Sequence, residues 1–177
     1  NKVELLRFLE KDEAKDALSI IDRVGLIPFE EKRKGKLRLY AFTPTTSFSS
    51  SQRLYGGKAV ERAFIKLLLD ELYPGLTAAF PEGYVEYGAT SGWRWACEEA
   101  QGKFDNVSAL FKAAYGRALR AEFGKPAREN ILHAIDTSKH GQSLGRMRKA
   151  LAQAALDSAP PDLVIFDEFQ CYRELLN

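Results

Sequence analysis

The sequence predicts an α/β chain, an incomplete parallel sheet that carries a large and mainly helical insertion. Three observations lead there. Two short runs, Leu37-Arg38-Leu39-Tyr40-Ala41-Phe42 and Leu163-Val164-Ile165-Phe166, are rich in β-favouring residues and lie between turn signals. Each run stops on a polar segment, Thr43-Pro44-Thr45-Thr46-Ser47 after the first and the carboxylates Asp167-Glu168 after the second. The stretch between them reads as a series of helices, far longer than the dozen or so residues that usually join parallel strands. Residues 1–56 are therefore expected to form part of a lobe with the first strand and its turn. Residues 57–159 form the helical insertion, and 160–177 form the second strand with the start of a following helix.

Taken in order, residues 3–24 place Leu5, Leu6, Leu9, Ala14, Leu18, Ile21 and Val24 at spacings that suit one or two short helices, with Gly25 as terminator. A basic loop with Lys32, Arg33, Lys34 and Lys36 leads into the first strand, and Pro44 ends it. Over 58–73, Val60, Ala63, Phe64, Leu67, Leu68 and Leu72 recur at helical spacing until Pro74-Gly75 stops the pattern. Residues 77–102 show no clear period, and their aromatics, Tyr84, Tyr87, Trp93 and Trp95, are expected to pack.

Residues 104–123 read as one amphipathic helix with Val107, Leu110, Phe111, Ala114, Tyr115 and Ala118 on its apolar side and Asp105 or Asn106 available as cap. Gly124-Lys125-Pro126 breaks it. Helices over 127–135 and 142–157 follow, the latter with Leu144, Met147, Leu151 and Ala155 on one face. Pro160-Pro161 then prevents the last helix from running into the final strand.

Bulk composition narrows the functional classes. Apolar content of 45% and charge of 28% over 177 residues are those of a folded domain, not of a disordered tail. A net charge of +2 and a pI near 8.5 neither demand nor oppose a polyanionic partner. Cys97, Cys171, His133 and His140 have no zinc-site spacing, so both cysteines are expected to be reduced thiols in a cytoplasmic protein. No apolar run approaches the roughly 18 to 20 residues that cross a bilayer, so no membrane role is expected. The chain opens at Asn1 and closes at Asn177, soon after its most informative motif, and reads as a segment of a longer protein.

That motif is Pro161-Asp162-Leu163-Val164-Ile165-Phe166-Asp167-Glu168-Phe169-Gln170. In open α/β proteins ligands bind beyond the carboxyl ends of parallel strands, so Asp167 there is suited to a hydrated magnesium ion and Glu168 to polarising an attacking water. The same pair also suits a plain helix cap, because acidic groups are favoured at a helix N-terminus by about 0.3 to 1 kcal/mol. Both readings stand on the dipeptide alone.

The longer string resembles motif II, the DExx box, of superfamily 2 helicases and translocases, in the version of the bacterial SNF2-like branch. Phe42-Thr43-Pro44-Thr45-Thr46-Ser47-Phe48 is similar to their motif Ia. The resemblance implies a RecA-like P-loop NTPase lobe with ATP and Mg2+ as cofactors. Under it Asp167 serves the metal, Glu168 acts as catalytic base and Gln170 couples the nucleotide site to strand binding. Thr43, Thr46 and Ser47 would hold a nucleic-acid backbone, with double-stranded DNA as the expected partner and the helical insertion open to protein partners. The departure is the P-loop itself. Gly56-Gly57-Lys58-Ala59 lacks both the leading glycine, at Gln52, and the hydroxyl after the lysine that G-x-x-x-x-G-K-[ST] requires.

The leading expectation is thus part of the ATPase motor of a DNA-directed helicase or translocase, inactive as this segment alone. The alternative is a non-catalytic helical module that binds nucleic acid or protein. Its basic residues gather at 32–36, at Arg117, Arg120, Lys125 and Arg128, and at Arg146, Arg148 and Lys149.

Overall fold

The computed structural model describes residues 39–42, 57–88, 92–137, 141–158 and 163–166. Strand β1 (Leu39–Phe42) is followed among these residues by five α-helices: α1 (Ala59–Leu72), α2 (Trp93–Phe104), α3 (Ala109–Phe123), α4 (Ala127–Thr137) and α5 (Gln142–Ser158). Strand β2 (Leu163–Phe166) comes last.

Helix α1 is the centre of the packing and touches α2, α3 and α5. It buries Val60, Ala63, Phe64, Ile65, Leu68 and Leu69, whereas Leu67 and Leu72, inward by simple periodicity, are only half-buried. A helix covered on several sides needs more than one apolar stripe, which is why Ile65 and Leu69 are inside as well. Phe64 is the junction: its ring meets Phe104 of α2 edge-on at 6.3 Å and Phe111 of α3 at 6.4 Å, spacings favourable for aromatic pairs.

Helix α2 is buried through Ala96 and Ala100, with Trp93, Cys97 and Phe104 half-covered. The continuous helix expected over 104–123 is two elements. α2 closes at Phe104, and α3 opens after Ser108, whose Oγ accepts the Phe111 N–H at 3.1 Å. Ser108 therefore caps α3 in place of Asp105 or Asn106, and Leu110, expected inside, is 59% exposed.

The α3–α4 corner is closed by Asn130, whose Nδ2 donates to the Phe123 carbonyl at 2.9 Å across Gly124, at φ +81°. Ser143 donates from Oγ to the Ala134 carbonyl at 2.9 Å and so ties the start of α5 to α4. α3 and α5 pack along each other with many small buried residues, among them Ala114, Ala118, Ala150 and Ala154, which let two helices approach closely.

The two strands pair in parallel, in register from Leu39 opposite Leu163 to Phe42 opposite Phe166. This corrects the expected fold class. The described residues are a helical body whose helices bury their apolar faces against one another through Phe64, Phe111 and Tyr115, and not against a sheet. Among the described residues extended structure amounts to two strands of four residues each, a ladder too small to present the faces that an α/β layer needs. The incomplete RecA-like parallel sheet is not the architecture of these residues. No helix among them is long and apolar enough to cross a membrane.

Candidate functional site

All six residues that the sequence singles out lie outside the described residues: Asp167, Glu168 and Gln170 after β2, and Thr43, Thr46 and Ser47 after β1. What the structure does define is where their segments begin. Because β1 and β2 run parallel with Phe42 facing Phe166, the chain leaves both strands at the same edge of the pair. A register shift of two residues would offset those exits by roughly 7 Å, given about 3.3 Å per strand residue.

The glycine-lysine turn before α1 has a structural task. Gly57 adopts φ +79°, a backbone conformation that favours glycine, and the Arg148 side chain lies close against it. Glu61 turns back to accept the Lys58 N–H at 3.0 Å, which occupies the start of α1 with one of its own carboxylates.

Beside it sits the one buried cation among the described residues, Arg62, 7% exposed. Its Nε donates to the Val85 carbonyl at 2.7 Å and its Nη2 to the Tyr87 carbonyl at 2.8 Å, while Nη1 donates to the Gly57 carbonyl. Burial lowers the Arg62 pKa, Glu61 acts to raise it, and Arg148 adds to the lowering. An arginine keeps its proton under such pressure, so the guanidinium works as a fixed three-way clamp between α1 and the 83–88 turn. Sequence reading missed it. The signal was a charge at position 62 between Val60, Ala63 and Ile65 in a helix apolar on most sides, since a buried charge must be fully bonded.

Most of the other cations among the described residues are neutralised. Lys66 pairs with Asp70, Arg94 with Glu98 and Lys103 with Glu99 along their own helices, and Lys112 reaches Glu71 between α3 and α1. The basic cluster at Arg146, Arg148 and Lys149 is paired as well. Arg146 and Lys149 share Glu122 at 3.2 and 3.0 Å, and Arg148 reaches Glu61 at 3.3 Å. Arg146 also stacks over the Phe123 ring at 4.0 Å, so this trio fastens α5 to α3 and α1.

Asp70 is the carboxylate with the best-defined environment. Partial burial acts to raise its pKa, but the Thr77 hydroxyl at 2.6 Å, Lys66 at 3.0 Å and the Thr77 N–H at 3.1 Å outweigh it and hold the carboxyl below the usual range. A depressed folded-state pKa stabilises above the unfolded value, near 3.9, and that contribution is lost as pH falls through the folded value. Asp70→Asn is accordingly expected to lower stability at neutral pH and to flatten its decline below about pH 4. Urea unfolding at a series of pH values checks this, and an unaltered acid limb would count against it.

The donor chemistry of Asp167 and Glu168 fits a hard divalent ion, which takes one or two carboxylates and keeps several waters. Among the described residues no group of three or more His, Cys, Asp or Glu side chains could hold a metal. Burial pushes the Tyr115 hydroxyl far above its ordinary range, so it offers no proton exchange near neutrality. Compared with family models, with curated proteins and with solved structures, the chain matches none.

Proposed function

We propose that this chain is part of the ATPase motor of a DNA-directed helicase or translocase, with the helical body lying between its two motif-bearing strands. One observation supports the reading most: the in-register parallel pairing of β1 with β2, whose carboxyl ends are level at Phe42 and Phe166. A hydroxyl-rich, strand-gripping turn and an acidic pair that work together are best served by neighbouring strands that end level, and a pairing of that kind favours the reading. Bound Mg2+ supplies charge neutralisation for phosphoryl transfer to water. Asp167 holds that ion, Glu168 takes the proton of the attacking water, and Gln170 links the acidic segment to strand binding. Thr43, Thr46 and Ser47 grip backbone phosphates through hydroxyl groups, which suits movement along any sequence. The phosphate cradle comes from elsewhere in the longer protein, which works in the cytoplasm.

The alternative, a non-catalytic nucleic-acid-binding module, is favoured by a different observation: the helical body has a core of its own and leaves a set of cations without partners. ATP hydrolysis by the full-length protein, measured with and without duplex DNA, separates the two. The motor reading expects turnover that rises on adding DNA. Binding of DNA with no hydrolysis under any condition would reject it in favour of the module.

A further inference from the structure

We infer that the exposed C-terminal half of α3 and the corner into α4 form a docking strip for a nucleic-acid backbone, carried by Arg117, Arg120, Lys125 and Arg128. The argument begins with pairing. Each of the other described cations, Lys58 apart, is in an ion pair of 3.0 to 3.5 Å or, for Arg62, bonded to carbonyls. These four make no ion pair among the described residues, although Arg117, Arg120 and Lys125 are exposed and Arg128 is half-buried. Among the described residues most cations are paired, and four of those that are not lie close together in sequence, which concentrates the positive potential of the helical body there.

Geometry sharpens the picture. Arg117 and Arg120 are one helical turn apart, and α3 runs on to Phe123, so the strip covers about 9 Å of helix axis before the corner adds Lys125 and Arg128. At about 3.4 Å per nucleotide along one strand, that length meets two or three consecutive phosphates. The Asn130 bond to the Phe123 carbonyl holds the corner, so the second pair of cations is presented on a fixed turn.

The surroundings select nucleic acid over an acidic protein. Between the cations the exposed residues are small or non-aromatic: Ala121, Gly124 and Pro126. Protein-binding surfaces centre on desolvated aromatic and aliphatic anchors, whereas nucleic-acid interfaces are polar and strongly positive. The exposed Leu110 lies at the opposite end of α3, away from the strip. The exposed carboxylate beside Arg128 in sequence, Glu129, reduces the local charge without matching four cations.

This inference does not depend on the acidic pair after β2, and its test uses no nucleotide. Binding of a fluorescein-labelled 20-bp duplex of arbitrary sequence is followed by anisotropy from 50 to 200 mM salt. The log–log salt slope is expected to lose about two to four when Arg117, Arg120, Lys125 and Arg128 are all changed to Gln, at roughly 0.9 per phosphate contact. Lys112→Gln, which removes a paired cation, is expected to leave the slope unchanged. Circular dichroism reports whether the quadruple variant is folded, and Arg117→Gln/Lys125→Gln, expected to lose about half as much, replaces it otherwise. A wild-type slope in the folded variants, no duplex binding by the protein at 50 mM salt, or equal competition by poly-glutamate would each overturn the proposal.

Discussion

Glu168→Gln is expected to lower DNA-stimulated ATP turnover by the full-length protein about 10²- to 10⁴-fold, the range in which a positioned general base contributes. The substitution keeps the size and shape of the side chain and removes its ability to accept a proton. Nucleotide affinity should be nearly unchanged, because the proposed metal ligand is Asp167 and not Glu168. Asp167→Asn should differ in kind, weakening metal binding and raising the Mg2+ concentration for half-maximal activity. The two signatures separate a base from a ligand. Wild-type turnover in Glu168→Gln would leave the acidic pair with the helix-capping task that it equally suits on local grounds.

Arg62→Met is expected to destabilise the helical body by about 3 kcal/mol, because hydrogen bonds from a charged donor are worth roughly 1.5 to 3 kcal/mol and stranded carbonyls add to the loss. Not all three carbonyls count equally. Gly57 and Tyr87 are partly or well exposed and can turn to water, whereas the Val85 bond is buried and its acceptor would be left without a donor. Removing a buried charge returns part of its desolvation cost, which keeps the figure below the sum of three bonds. For a protein of this size the midpoint of thermal unfolding should fall by roughly 6 to 12 °C. Arg62→Lys retains the charge but not the planar fork, and should recover little of the loss. A shift of less than about 2 °C for the methionine variant would show that the clamp is incidental.

Much of the helical body was legible because its periodicity rests on large side chains. Leu144, Met147 and Leu151 mark α5, and Val60, Phe64 and Leu68 mark α1. α2 was not, because its buried positions are Ala96 and Ala100 and a glycine, Gly102, sits inside it; small residues carry little hydrophobic contrast even at correct spacing. The split between α2 and α3 was hidden for a related reason. Phe104, Val107 and Phe111 keep helical spacing across the break, and only the cap chemistry of Ser108 betrays it.

The sequence points to a sheet because two apolar segments look like its visible part, while the described residues between them build their own core without one. Pairing between charges is the feature furthest from sequence reading. Arg146, Arg148 and Lys149 look like a basic patch in the chain and are ion-paired in the fold, whereas Arg117, Arg120, Lys125 and Arg128 look the same and are not. Helical wheel position alone does not say which carboxylate from another element will arrive.

The central claim is that the acidic segment after β2 and the hydroxyl-rich segment after β1 share one strand edge at a divalent-metal site. Iron(II)-directed cleavage measures this most directly: Fe2+ replaces Mg2+ in the full-length protein with a non-hydrolysable ATP analogue, and ascorbate and peroxide cut the backbone nearest the metal. The account predicts cuts close to Asp167 and, on the neighbouring strand exit, within residues 42–47, both suppressed by excess Mg2+ and by Asp167→Asn. Cuts confined to other parts of the chain, or cleavage indifferent to Asp167→Asn, would contradict it.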